Sequence, residues 1–570
     1  MKKKSFYFED YHESEIEYEK KKLNLKKISL DRVTFLSFVF IALLVIFSFK
    51  IIYLSLSKEK IFYKNISQSN SSQERRDIID TNGEILSTNV ELYDVGVRPK
   101  LLKKKEKKNL LIKLALIFPE LDLKKIKLRL DGDDFFWLGK RLTPEEKTQF
   151  WLIGNKAFVF EPKASRVYPQ KNLFSHVLGQ TDDLNNGISG VEKSLDEKLK
   201  DKTKIKTPLR LSLDSNLQYL VREELIKAQS HFNNIGSAAI LMEVESGEIL
   251  SLVSLPDYDL NKRNLINNEI YLNKITLGVY ELGSVFKTFT IAAGLENKVI
   301  KSNTIFKNLE TSLMCDSHKI SEHDPLPKNL SVEQILVRSS NIGAVKIAQK
   351  VGLVKFQEFL NSFGLFKKIN FELHEVGVPL DFKWGKCKLA TASFGRGIAT
   401  TPLQIARAYA IIGNGGYNID PFILKNKNKK YKKGEQIIST KTSNSLNLML
   451  RKVVNLEEGT ANFANIEGYE IAGKTGTSVK YKNKEKLNTF ITLFPANKPK
   501  HVLLVMLDEP KPAPNFVYNM PPSEKYPNGY KYKGETRNTS GWNTVVVAGK
   551  IIEKIGPILA TKNLQASKNF

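Results

Sequence analysis

Cysteine is nearly absent: Cys315 and Cys387 are the only two in 570 residues. Two thiols cannot build a disulfide framework or a Cys-rich zinc module. Arginine is scarce too, at fifteen of 88 basic residues, although the formal net charge is +27. Arg is the side chain that grips bases and phosphates in a bidentate manner. The lysines are spread along the whole chain beside abundant Asn, Ile and Phe, so the charge reads as compositional bias and no nucleic-acid partner is expected. Hydrophobic residues at 41% and aromatics at 10% exclude a wholly disordered or collagen-like chain. The length calls for more than one domain.

Long apolar runs are missing as well, with one exception. Val33–Phe49 is apolar apart from Thr34, Ser37 and Ser48, and the run resumes over Ile51–Leu54. That suffices for one transmembrane helix, which needs about 20 residues, and an anchor is expected over residues 33–56. Lys20, Lys21, Lys22, Lys26, Lys27 and Arg32 precede it, placing a tail of residues 1–32 in the cytoplasm and the rest outside. Ser55-Leu56-Ser57 is a competing signal-peptide cleavage site, but the long segment ahead of the apolar run favours a retained anchor. The polar, Ser-rich stretch within 57–74 reads as a linker.

Residues 75–208 form a mixed region with no catalytic constellation, expected to be structural. Asp80-Thr81-Asn82-Gly83 marks a turn between two strands, Leu101–Leu130 has helix-like spacing, and Asn185-Asn186-Gly187 is another turn. From Leu209 the texture changes. Ser237–Val244 and Glu248–Leu255 flank a Glu-Ser-Gly turn as a β-hairpin, and a mostly helical middle follows. Ser331 with Gln334 makes a capping box at the head of Val332–Val351. Tyr469–Val479, Thr489–Phe494 and Val502–Leu507 form a late strand series. Strands at both ends of a helical middle predict an α/β (α+β) domain over 209–560, built on one antiparallel sheet flanked by helices, with a tail at 561–570.

Three short strings could carry chemistry. Ser284-Val285-Phe286-Lys287 places an amine three residues from a hydroxyl, which on a helix starting at Ser284 lies over the same face. Serine is a poor nucleophile without a base, and a lysine serves as one if burial and cationic neighbours bring its pKa from about 10.4 toward about 7–8. Ser339-Ser340-Asn341 sits between two helical stretches, where a hydroxyl and an amide two apart point into one cleft. Lys474-Thr475-Gly476-Thr477 lies on a predicted strand, with a cation, two hydroxyls and a close-approach glycine suited to a carboxylate-ended extended peptide. Each string alone is commonplace; Ser55/Lys58 and Ser57/Lys60 repeat the first spacing. Cys315, His318 and His323 fall close together, but zinc sites usually need four ligands with tighter spacing, so no metal and no cofactor is expected. Whether the two cysteines pair is open at this point.

In this order and within one domain, the strings resemble the active-site-serine penicillin-binding proteins and β-lactamases. Tyr280–Ser284, Ser393–Gln404, Asn414-Gly415-Gly416 and Glu458–Ala461 are similar to further blocks of that superfamily. Leu282 stands where Pro is usual and Thr492 where Gly is common. Arg75–Gly83, Arg166–Pro169 and Gly187–Lys193 resemble the extracytoplasmic pedestal of class B members, with Arg76 and Thr81 in place of the usual Gly and Arg. A Glu-x-x-Leu-Asn string, typical of class A β-lactamases, does not occur between Ser339 and Lys474, and residues 75–208 carry no glycosyltransferase motif.

The resemblance thus implies a class B penicillin-binding protein with a pedestal over 75–208. Its implied activity is serine D,D-transpeptidation of peptidoglycan stem peptides. The donor would end in D-Ala-D-Ala, and β-lactams would act as covalent inhibitors. It implies Ser284 as nucleophile, Lys287 as its base, and Ser339 as proton relay. Asn341 would hold the donor amide, Lys474, Thr475 and Thr477 the terminal carboxylate, and Gly476 is a further substrate-binding residue. Asn341 and the chain length favour the septal (FtsI) group. That group implies a membrane glycosyltransferase of the FtsW type and other division proteins as partners, and an inner-membrane location with the catalytic domain in the periplasm. An elongation-type transpeptidase and a non-catalytic scaffold are the alternatives.

Overall fold

The computed structural model describes residues 16–18, 21–23, 34–53, 74–262, 269–316, 318–381, 383–385, 387–425, 433–481 and 483–568. Most of the expected cytoplasmic tail, the last residues of the anchor and the linker up to Gln73 lie outside them. The chain divides into two units, Met1–Ser72 and Gln73–Phe570. Within the first, Ile16–Tyr18 pairs with Lys21–Leu23, and residues 34–53 form helix α1, apolar and exposed along its length.

The second unit opens with β1 (Ile78–Ile79) and the 13-residue β2 (Ile85–Val97). The expected turn between them is made by Asp80, whose carboxylate accepts from the backbone N–H of Asn82 at 2.7 Å and of Glu84 at 2.9 Å. Helices α2 (Lys104–Ile117) and α3 (Leu123–Asp131) divide the single helical stretch expected over Leu101–Leu130. Asp122 accepts from Lys125 N–H at the start of the second and so separates them. Strand β3 (Phe136–Leu142), helix α4 (Pro144–Leu152) and strand β4 (Phe158–Val167) complete this part.

Two cores result. Val95, Val97, Leu110, Leu114, Phe150 and neighbours close a small core of their own, whereas Ile78, Leu86 and Tyr168 belong to the large core of the rest of the unit. The pedestal region is therefore a head with its own interior on a base continuous with the following domain. The base is fastened by charge. Glu192, on helix α5 (Gly190–Ser194), pairs with Arg75 at 2.8 Å and Arg166 at 2.7 Å, and all three side chains are fully buried. Ser87 donates to the same carboxylate. Replacing Glu192 by Ala leaves two guanidinium groups buried without that carboxylate, and breaking such a group costs about 3–5 kcal/mol. Thermal melting should report a large fall in stability.

The two positions that depart from the pedestal pattern find other partners: Arg76 donates to the carbonyl oxygen of Thr207, and Thr81 accepts from Lys425 Nζ at 2.8 Å. The region also reaches past residue 208, since β5 (Leu209–Arg210) pairs in parallel with β1.

Helix α6 (Ser215–Phe232), capped by Asp214, leads into the hairpin β6 (Gly236–Glu243) and β7 (Ile249–Leu255). A 3-10 turn at Gly283–Phe286 continues as α7 (Lys287–Glu296). A second hairpin, β8 (Ser312–Cys315) and β9 (His318–Ser321), precedes α8 (Val332–Val337) and α9 (Asn341–Val351). The capping box expected at Ser331 and Gln334 is present. Then follow α10 (Lys388–Ala392), α11 (Pro402–Gly413), α12 (Thr440–Asn455), β10 (Ala472–Val479), β11 (Lys486–Phe494), β12 (His501–Asp508) and α13 (Thr544–Lys568). The boundary expected at 560 falls inside α13, so residues 561–568 continue a helix rather than form a tail.

The five-stranded sheet runs β10-β11-β12-β6-β7 and is antiparallel throughout. Every residue of β12 is buried: α11 and α13 pack against it, α6 lies beside α13 and on β6 and β7, and α12 lies beside α11 and on β10. Cys315 and Cys387 are joined as a disulfide across 72 residues. Cys315 is therefore no thiolate ligand, and the hairpin β8–β9 is tied to the start of α10.

Candidate active site

Helix α7 is buried from Lys287 to Gly294. Its apolar side chains lock it in the middle of the domain, and that burial fixes where its first residue sits. The α-helix begins at Lys287, one turn later than the expected start at Ser284. Ser284 lies instead on the 3-10 turn, where Lys287 N–H donates to the Ser284 carbonyl, and the Tyr409 hydroxyl holds the next carbonyl, that of Val285, at 2.9 Å. Tyr409 also bonds Thr288 Oγ1 at 2.8 Å. Ser284 is 8% exposed and Lys287 fully buried.

The turn meets edge strand β10 backbone to backbone. A side chain at Gly476 would stand 2.3 Å from the Leu282 carbonyl oxygen, and one at Gly283, whose φ is +61°, would stand 2.8 Å from that of Thr477. Only glycine allows both contacts. The first and third strings of the sequence are thereby adjacent. The flanking blocks join them: Tyr280 and Thr400 exchange both backbone hydrogen bonds, at 2.9 and 3.0 Å, and Glu281 accepts from Gly397 N–H.

The second string is brought in by the break between α8 and α9. Ser339 has a φ of +59°, a left-handed conformation that turns the chain sharply. Its hydroxyl stands between two lysines: Lys287 Nζ donates to Ser339 Oγ at 3.1 Å and to the Ser339 carbonyl oxygen at 2.5 Å, and Lys474 Nζ lies 2.9 Å from the same Oγ. Both amines are turned to Ser339, with Ser284 one turn ahead of Lys287. Burial pushes the Lys287 amine down to about 7, opposed by the Glu322 carboxylate. Lys474 is held well below its ordinary value by burial and by Lys287. A neutral amine has two N–H bonds and one lone pair. The two acceptors on Ser339 account for both N–H bonds of Lys287, which leaves the lone pair.

Around this centre the remaining expected residues are held by partners that sequence reasoning did not find. Asn341 donates through Nδ2 to the Ser321 carbonyl at 2.8 Å, while its Oδ1 is buried without a partner among the described residues. Thr475 Oγ1 bonds Thr460 Oγ1 at 2.8 Å, giving the Glu458–Ala461 block a structural place. Thr477 Oγ1 accepts from Ser540 N–H at 3.1 Å. Ser540 lies beyond every block that carries the resemblance. Glu322 accepts three hydrogen bonds at the head of α9. A lone acidic residue in a loop carries no periodic or motif signal, and only the fold reveals it.

Residues 237–521 match the penicillin binding protein transpeptidase domain, and residues 71–223 match the penicillin-binding protein dimerisation domain. The chain is 30% identical over 502 residues to the probable peptidoglycan D,D-transpeptidase FtsI of Caulobacter vibrioides, covering 86% of this chain and 82% of that one. The chain belongs to the class B penicillin-binding proteins. It is also 30% identical to the peptidoglycan D,D-transpeptidase FtsI of Buchnera aphidicola subsp. Baizongia pistaciae, over 86% of this chain and 93% of the relative. It is 29% identical to the stage V sporulation protein D of Bacillus subtilis, over 78% and 75%. With α1 long and apolar enough for a bilayer, this class B member is membrane-anchored.

Proposed function

We propose that this chain is a serine D,D-transpeptidase that cross-links peptidoglycan stem peptides during septal wall synthesis. The observation that carries this reading is the Ser339 hydroxyl held between two buried lysines, one of them Lys287, three residues on from Ser284. Ser284 Oγ gives its proton to the Lys287 lone pair and bonds to the penultimate D-Ala carbonyl carbon of the donor. The resulting oxyanion is held by the backbone N–H groups of Ser284 and Thr477, whose chains the two glycines bring together. Its collapse breaks the C–N bond. The proton returns through Ser339 Oγ to the departing D-Ala amine, with Lys474 supporting the transfer electrostatically. Asn341 holds the donor amide, and its unpartnered Oδ1 is an acceptor for a peptide N–H. Lys474, Thr475 and Thr477 grip the terminal carboxylate, and Gly476 lets the peptide approach the strand. An amine on a neighbouring stem peptide then displaces Ser284 from the ester and forms the cross-link. A β-lactam enters by the same route and stays on Ser284.

The two FtsI-named relatives support the septal role. That role would place the catalytic domain in the periplasm, with a glycosyltransferase of the FtsW type and other division proteins as partners. Depletion in the native host should give filaments that elongate without dividing, seen by microscopy. Rounded cells would instead identify an elongation-type enzyme.

A further inference from the structure

We propose that Glu322 is a positioning residue of this centre: one carboxylate holds the Ser339–Asn341 turn in the conformation that puts Ser339 Oγ between the two lysines. The inference rests on the transpeptidase reading above.

The geometry is specific. Oε1 accepts from the Ser340 hydroxyl at 2.6 Å and from Ile342 N–H at 3.0 Å, while Oε2 accepts from Asn341 N–H at 2.7 Å. Ser340 is itself the cap of α9, its oxygen accepting from Gly343 N–H at 2.9 Å. A single charge thus sits where unpaired N–H groups and the helix dipole favour an anion. Next to it, Ser321 fixes the Asn341 amide. The carboxylate and the Ser321 carbonyl arrive together at the end of β9, in the hairpin anchored by the disulfide. What they restrain is Ser339, a non-glycine residue in the left-handed region, which persists only where its surroundings impose it. Without the carboxylate, the Ser340 hydroxyl and two N–H groups lose their acceptor, and the turn loses the contacts that oppose its relaxation.

The same charge also acts through space. Lys287 is faced by Glu322, by the Lys474 amine and by His323, and of these only Glu322 favours its protonated form. Removing that charge lowers the pKa of Lys287 further, so the acidic limb of the acylation profile moves to lower pH. A role confined to holding the fold would leave that limb in place.

The test compares wild type, Glu322→Gln and Glu322→Asp in full-length protein. It measures the rate of Ser284 acylation by a fluorescent penicillin from pH 5 to pH 9, with thermal melting alongside. In Glu322→Gln the plateau rate should fall by about tenfold or more, the scale of a small misplacement in an active site, and the acidic limb should move to lower pH. Glu322→Asp should keep the wild-type limb and recover part of the rate. A Gln variant with the wild-type plateau and limb overturns the proposal. So does equal loss in both variants with an unmoved limb, which denotes a merely structural residue. If wild type itself takes no label, the reading of Ser284 has failed, and the crystal structure of Glu322→Gln decides the matter for Glu322. Ser339 Oγ displaced from the lysines supports the proposal, and Ser339 unmoved overturns it.

Discussion

Ser284→Ala should abolish penicillin labelling while leaving the fold intact. The substitution removes one oxygen from a small side chain on a turn held by other groups: Tyr409 on the Val285 carbonyl and the glycine contacts with β10. The turn therefore stays in place and the melting temperature should be close to wild type. The chemistry has no second route, because neither the Ser339 hydroxyl nor the Thr475 hydroxyl occupies that turn, and both are engaged with other side chains. Losing a nucleophile that acts as one unit with its base costs about 10⁶ in turnover in a comparable serine enzyme. Intact-mass analysis after incubation with benzylpenicillin should show one adduct on wild type, located at Ser284, and none on the variant.

Lys287→Met should lose acylation almost as completely and for a different reason. Methionine fills the same channel with a flexible apolar chain and suits a wholly buried site. It has no lone pair on nitrogen to take the Ser284 proton, and removing a general base typically costs about 10²–10⁴. Stability should move the other way. In the folded protein Lys287 titrates at about 7, against about 10.4 for an unperturbed lysine. Between those values the unfolded chain carries a proton that the folded one lacks. Wild-type stability therefore rises with pH across that window and is lowest below about pH 7. Lys474, also depressed, adds a slope of the same sign. The Met variant lacks the Lys287 contribution, so below pH 7 it should melt at or above the wild-type temperature while remaining unlabelled.

Much of the fold is legible in the sequence. The hairpin β6–β7 and the late strands β10–β12 announce themselves by alternation and by turns, and the Ser331–Gln334 box marks the head of α8. The three strings gain meaning from their order, which no single spacing provides. What escaped was whatever depends on distant partners. The 3-10 turn at Ser284 is held by Tyr409, more than a hundred residues later, through the Val285 carbonyl. The approach of the Lys287 amine to Ser339 follows from a left-handed residue, which spacing does not encode. Ser540 acts through its backbone N–H, and the Glu322 carboxylate accepts from Ser340, Asn341 and Ile342, far along the chain, so neither residue forms a pattern with its sequence neighbours. The pairing of Cys315 with Cys387 required the hairpin β8–β9 and the start of α10 to be placed side by side. The base of the pedestal looked separable in composition, yet Ile78, Leu86 and Tyr168 lie in the same core as the catalytic domain.

At the centre of the account is a buried amine that is neutral near physiological pH and takes the proton of Ser284. The rate constant for acylation of full-length wild type by a penicillin that does not itself titrate between pH 5 and pH 10 tests this most directly. The rate should climb tenfold per pH unit on the acidic side, bend near pH 7 and then level off. A rate independent of pH across that range, or one still rising at pH 10, would contradict it.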